Sequence, residues 1–219
     1  MPAMPDPNFP RAVVFDLLTA LIDSWTLWNA AAGSERAGRA WRAEYLRLTY
    51  GCGAYVAYEE LVREAARTTG LVEAAPAYLE THWSELAPWS GAQETLDILQ
   101  SRCKLAVVTN CSIRLGALAA ARLKTRWDAV ITAEEAGFYK PDPRPYRLTL
   151  DRLGVTANDA VFVAGSAFDL AGTEAVGLRT YWHNRIGLPR PAQLPAPAIE
   201  CATFERLIPW LEGQAWQAS

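Results

Sequence analysis

Five short apolar runs, each ending on a polar residue and each separated from the next by a longer helical pattern, set the limits on what this chain can fold into. Ala12-Val-Val-Phe15 stops at Asp16, and Leu105-Ala-Val-Val108 runs into Thr109-Asn110. Ala129-Val-Ile-Thr132 is a third run, Ala160-Val-Phe-Val-Ala164 leads into Gly165-Ser166, and Arg179-Thr-Tyr-Trp182 is a fifth. Helical periodicity covers residues 91–100, 115–123, 145–153 and 169–176. Apolar runs of four or five residues that alternate with helices are strands buried on both faces, which points to a parallel sheet with helices on either side.

The expected fold class is therefore α/β, a doubly wound Rossmann-like parallel sheet. Residues 24–89 break its rhythm. They hold no convincing strand and carry amphipathic patterns over 40–50 and 58–69. The economical reading is a helical cap, residues 24–89, inserted after the first strand into a core made of residues 9–23 and 90–219. Its hinges fall near 22–24 and 88–90. A proline-rich stretch, 188–197, precedes a closing helix over 204–211.

With 219 residues, the chain can bury roughly 70% of its unfolded surface, so its core needs neither metal nor disulfides. Cys52, Cys103, Cys111 and Cys201 lie far apart with no zinc-type or framework spacing. A net charge of −3 without like-charge runs disfavours nucleic acid or an anionic membrane as partner. No apolar run approaches the ~20 residues of a spanning helix, and residues 1–11 lack a signal-peptide pattern. A reduced, cytoplasmic compartment is the expectation. Most of the nine tryptophans should be core or interface filler.

In such a sheet, ligands bind at the carboxyl ends of the strands. The residues there are Asp16, Thr109, Asn110, the segment from Ser166 to Asp169, and Lys140 in the stretch after the third strand. Singly, each has an ordinary explanation: Asp16 and Asp169 as helix caps, Lys140 as a solvated loop residue, Asn110 as a turn former. Together they bring two carboxylates, a cation and an amide to one crevice.

Asp16-Leu-Leu-Thr-Ala-Leu21, Val107-Val-Thr-Asn110, Lys140-Pro-Asp and Gly165-Ser-Ala-Phe-Asp169 together resemble the haloacid dehalogenase superfamily over nearly the whole chain. Magnesium-dependent phosphatases of that superfamily need a second Asp two residues after the nucleophile and an acidic residue after the Gly of the fourth motif. This chain has Leu18 and Ser166 there. The L-2-haloacid dehalogenase branch is the better likeness. It matches in the bulky Leu18, in Tyr146 six residues after Lys140, in Trp41-Arg42-Ala-Glu-Tyr-Leu46-Arg-Leu-Thr49, in Phe168 before Asp169, and in Trp182-His-Asn184-Arg185. The chain departs from the branch at Thr19-Ala20, where Gly-Thr is usual, and at Ala164 and Ser166, where Ser and Asn are usual. Thr19 and Ser166 are the residues placed to compensate.

The resemblance implies a metal-free, cofactor-free hydrolase that converts (S)-2-haloacids to (R)-2-hydroxy acids through an aspartyl ester on Asp16. Lys140 would keep Asp16 ionised, and Asp169 would activate the hydrolytic water. Arg42, Asn110 and Phe168 correspond to a halide cradle, Thr109 and Ser112 are candidates for the substrate carboxylate, and Tyr146 would orient Lys140 or Asp16. His82 and His183 are expected to take no catalytic part. The partner would be a small anionic 2-haloacid, and the resemblance extends to a homodimer. The alternatives are a phosphatase of a small phosphoester and a catalytically degenerate binding protein. Retention of both Asp16 and Asp169 argues against the latter.

Overall fold

In the computed structural model, which describes residues 8–216, Ala12–Asp16 forms strand β1, buried along its whole length. Residues 1–7, part of the stretch read for a targeting signal, lie outside the described residues. A five-residue turn of π-helix, Leu17–Leu21, follows β1 and leads into a two-residue strand, β2 (Ile22–Asp23). Four helices come next: α1 (Ser24–Ala31), α2 (Glu35–Gly51), α3 (Tyr58–Thr68) and α4 (Ala74–Thr81). The chain returns through β3 (Ala87–Pro88), antiparallel to β2. It then alternates: α5 (Ala92–Leu99), β4 (Lys104–Thr109), α6 (Ile113–Ala120), β5 (Ala129–Thr132), α7 (Ala133–Ala136) and α8 (Pro143–Leu153). The last elements are β6 (Ala160–Ala164), α9 (Asp169–Ala175), β7 (Arg179–His183), β8 (Ile199–Cys201) and α10 (Leu207–Glu212).

Six strands pair in the order β5-β4-β1-β6-β7-β8, every pair parallel. The chain works outward from β1 to β4 and β5, then jumps back across β1 to β6 and continues the other way. That is the doubly wound order, and its switch point lies between β1 and β6. Alternation splits the core by face. Val13, Phe15, Val107, Val161 and Val163 join one apolar cluster, while Val14, Val108, Ile131 and Phe162 join the other. The second face is rich in alanine (Ala12, Ala106, Ala129, Ala160, Ala164), and Tyr146, Leu150 and Leu153 of α8 pack against it.

The helices between β2 and β3 are bracketed by that two-stranded ribbon, where the sequence reading placed hinges. They are anchored to the carboxyl end of the sheet by long-range bonds. Trp83 Nε1 donates to the Leu115 carbonyl at 2.9 Å, Tyr45 Oη to the Asn110 carbonyl at 2.9 Å, and Tyr139 Oη to the Val56 carbonyl at 2.8 Å. Two of the four helices escaped the sequence reading. Helix α1 is rich in weak helix formers and is fixed by Asp23, which accepts from the Thr26 backbone at 3.1 Å and its hydroxyl at 2.6 Å. Helix α4 carries Pro76, which is tolerated because it lies in the first turn. The three-residue edge strand β8 was hidden in the proline-rich tail. Among the described residues, no helix is long and apolar enough to cross a membrane, and the four cysteines are free.

Candidate active site

Asp16 is the last residue of the central strand, and the chain turns sharply after it. Its Oδ2 accepts three hydrogen bonds from the π-helical turn: from Thr19 N at 2.8 Å, Thr19 Oγ1 at 2.5 Å and Ala20 N at 3.1 Å. The turn can press this close to β6 because Gly165 has no side chain. A Cβ there would lie 2.2 Å from Ala20 N and 2.3 Å from Thr19 Oγ1. Oδ1 faces the other way and accepts from Lys140 Nζ at 2.7 Å.

The same ammonium lies 3.0 Å from Asp169 Oδ1, so one cation bridges two carboxylates, all three buried. Asn110 sets the position of Lys140 by clamping its backbone: Lys140 N donates to Asn110 Oδ1 at 2.7 Å, and Asn110 Nδ2 donates to the Lys140 carbonyl at 2.9 Å. Asp169 comes from the switch-point loop after β6 and begins α9. Its Oδ1 also accepts from Tyr146 Oη at 2.7 Å.

This geometry drives the two carboxylates apart. Burial pushes Asp16 up, but the Lys140 charge and the hydrogen bonds from Lys140 and Thr19 outweigh it, leaving Asp16 below the ordinary aspartate value. Burial also pushes Asp169 up. There the Lys140 charge and the Tyr146 bond offset it only in part, the negative Asp16 adds to it, and Asp169 stays above its ordinary value. Burial pulls Lys140 down, and its two carboxylate partners more than restore it, so it stays cationic. An ionised aspartate beside a more basic one can serve as a nucleophile and a base.

A cavity of about 270 Å³ opens above these groups, closed on its far side by α1 and α2. Arg42 reaches into it from α2. Its guanidinium donates to Ser24 Oγ at 2.9 Å and lies over the Trp25 ring, 4.2 Å from the centroid. Ser24 Oγ in turn donates to the Leu18 carbonyl, tying the arginine to the π-helical turn after Asp16. Burial pulls the guanidinium below its usual value, with Tyr58 and Asp16 opposing.

Of the residues singled out in the sequence, Asp16, Thr19, Arg42, Asn110, Lys140, Ser166, Phe168 and Asp169 line the cavity. Thr109 and Ser112, read as carboxylate-binding, do not. The Thr109 hydroxyl faces the Cys111 sulfur at 3.7 Å inside the core. Ser112 N-caps α6 and donates to Glu59 Oε1 at 2.8 Å. Tyr146 also differs from its reading, since its hydroxyl addresses Asp169 rather than Lys140 or Asp16. Most of the Asn110 amide, read as part of a halide cradle, is spent on the Lys140 backbone, which makes it a brace for that lysine. Ser166 Oγ accepts from Phe168 N at 3.3 Å. His82 stacks on Tyr78 at the surface, and His183 Nδ1 meets the Ala20 carbonyl at 2.8 Å behind the π-helical turn.

The sequence reading missed Ser24, Trp25, Trp28 and Tyr50, and took Leu46 only as part of the cap match. The signal was present, because Arg39, Arg42, Ala43, Leu46 and Tyr50 all line the cavity and follow helical i, i+3, i+4, i+7, i+11 spacing. Extending the α2 face outward from Arg42 would have found Leu46 and Tyr50; Ser24, Trp25 and Trp28 belong to α1, a helix the sequence reading did not place.

A family model described as haloacid dehalogenase-like hydrolase matches residues 13–183. The chain is 32% identical over 226 residues to (S)-2-haloacid dehalogenase 4A of Burkholderia cepacia, covering 95% of this chain and 98% of that protein. It is 33% identical to the (S)-2-haloacid dehalogenase of Xanthobacter autotrophicus over 76% of this chain and 72% of that one. Among solved structures, a dehalogenase captured as an intermediate complex superposes with a TM-score of 0.82 at 28% identity, covering 94% of this chain and 98% of that one.

Proposed function

The chain belongs to the haloacid dehalogenase-like hydrolases, and from that premise we propose that it hydrolyses (S)-2-haloacids to (R)-2-hydroxy acids through an ester on Asp16, without a metal. The observation that carries this reading is the Lys140 ammonium set between Asp16 and Asp169, at 2.7 and 3.0 Å, on the floor of a cavity roofed by α1 and α2.

The two oxygens of Asp16 have different tasks. Oδ2 is held by three donors, whereas Oδ1 faces the cavity beside Lys140 and is the nucleophile. It attacks C2 from the side opposite the halogen. The C–halogen bond breaks with inversion, and the halide leaves toward Arg42, whose guanidinium also meets the substrate carboxylate. The aromatic edges of Trp25 and Phe168 complete a halide-tolerant wall.

Hydrolysis then uses the other oxygen. Asp169 takes a proton from water as the water oxygen adds to Cγ of Asp16. Negative charge develops on Oδ2, where Thr19 N, Thr19 Oγ1 and Ala20 N already form an oxyanion hole. The Cγ–Oδ1 bond breaks, Oδ1 departs as the product hydroxyl with the proton from Asp169, and the solvent oxygen remains in the carboxylate.

A resident magnesium ion does not fit this donor set. The two carboxylates are bridged by a cation, positions 18 and 166 carry no carboxylate, and among the described residues no three His, Cys, Asp or Glu side chains are grouped to hold a metal. The phosphatase reading needs those missing ligands.

The test is halide release from (S)-2-bromopropanoate in excess chelator, followed by a single turnover in heavy-oxygen water. The expected result is chelator-resistant release, label in Asp16 and none in the hydroxyl of the product, with Asp16→Asn inactive. Magnesium-dependent phosphate release without halide release, or label directly in the hydroxy acid, overturns the reading.

A further inference from the structure

We propose that the preferred substrates are 2-haloacids whose C2 substituent is a bulky, aromatic group rather than a methyl. This rests on the dehalogenase reading of the site and adds to it a substrate class. An apolar cavity of about 150 Å³ is enough to hold a benzene molecule, and this one measures about 270 Å³. The reacting end of the acid occupies its polar part, between the floor where Asp16, Lys140, Asn110 and Ser166 gather and the guanidinium of Arg42. Apart from the guanidinium of Arg39, most of the remaining wall is apolar and largely aromatic, with Leu18, Trp25, Trp28, Leu46, Tyr50 and Phe168. A methyl at C2 would leave most of that wall uncovered.

The rim supports an aromatic occupant over an alkyl one. Tyr50 and Phe168 form a tilted pair with centroids 5.4 Å apart, yet they are 38% and 36% exposed. Large aromatics that pack on each other while keeping open faces at a cavity mouth offer a third ring an offset or edge-on partner. Leu18 lies on the wall next to Asp16, close to where C2 must sit, and Leu46 lies across from it on α2. A single added methylene in a hydrophobic pocket already changes specificity about 10-fold or more, so a phenyl ring in place of a hydrogen on the C2 methyl should exceed that.

The experiment compares 2-bromo-3-phenylpropanoate with 2-bromopropanoate by halide release. In parallel, it compares binding of the corresponding products, 3-phenyl-2-hydroxypropanoate and 2-hydroxypropanoate, by quenching of tryptophan fluorescence, since Trp25 and Trp28 line the cavity. The expected result is at least about a tenfold preference for the phenyl compound in both kcat/KM and Kd, or ~1.4 kcal/mol. Leu18→Phe and Leu46→Trp, which fill the wall from opposite sides, should each lower that preference at least about tenfold. Leu46→Trp sits on a half-buried helix face and guards against a folding failure of Leu18→Phe. A wild-type preference below tenfold, or a preference that both variants leave intact, overturns the proposal. Tight phenyl-product binding with no halide released from either substrate would uphold the aromatic cavity and refute the dehalogenase reading instead.

Discussion

Replacing Lys140 by Met should do more than stop turnover, because among the described residues the ammonium is the only bridge between two buried carboxylates. At about 3 Å and an effective dielectric near 20, each contact is worth about 5–6 kcal/mol before desolvation. Removing one partner of a buried pair costs about 3–5 kcal/mol in practice. For a chain of this length, where about 1 kcal/mol moves the melting temperature by about 2–4 °C, that is a fall of about 6–20 °C. The deficit should also depend on pH. In the native protein Asp16 is held below its ordinary value, so it contributes stability above the unfolded carboxylate value near 4 and loses it as pH falls. Without Lys140, burial, already the leading upward influence on both aspartates, is no longer opposed by the ammonium. Groups raised in the folded state are fully accommodated below the unfolded value, and they destabilise as pH rises through the folded one. Thermal unfolding of Lys140→Met should therefore show a deficit that is largest near about pH 8 and shrinks toward about pH 5. A deficit equal at both pH values, or none at all, would mean that Lys140 does not carry the charge balance of the site.

Thr19→Val removes the 2.5 Å hydroxyl bond to Asp16, a charged hydrogen bond worth about 1.5–3 kcal/mol. We expect kcat/KM to fall about 10- to 100-fold, with Thr19→Ser recovering most of it. Tyr146→Phe removes a bond that holds Asp169 down, so the acid limb of the kcat–pH profile should move to higher pH. An unmoved limb would uncouple Tyr146 from the base. Gly165→Ala forces a Cβ to 2.2 Å from Ala20 N; overpacking of this kind costs about 1–3 kcal/mol, and both melting temperature and kcat should drop.

The sheet was legible because strands buried on both faces leave an unmistakable pattern, and the polar residue closing each strand marked the crevice. The order β5-β4-β1-β6-β7-β8 explains why Asp16 and Asp169, 153 positions apart in the chain, meet at the switch point. What the sequence hid was local competition. Thr109 and Ser112 sit at the right end of β4, but their hydroxyls are spent on Cys111, on the α6 cap and on Glu59. Strand-end position gives access to the crevice only if no nearer partner exists. Likewise, position at the end of β4 does not reveal that the Asn110 amide is clamped on the Lys140 backbone by two hydrogen bonds.

The departure at residues 19 and 20 makes the same point from the opposite side. Read by position, Ala20 stands where a hydroxyl is usual, and Asp16 should lack a donor. In the π-helical turn, the backbone N–H groups of both residues and the hydroxyl of Thr19 converge on one oxygen. The hydroxyl stands one residue nearer Asp16, at Thr19, and donates to its Oδ2. It fits there because Gly165, across the crevice on the end of β6, yields the space a Cβ would fill. The constraint on this loop is thus a count of donors around Asp16 Oδ2 together with a close backbone approach. A sequence comparison made one column at a time registers a loss at Ala20, although the oxygen itself keeps three partners.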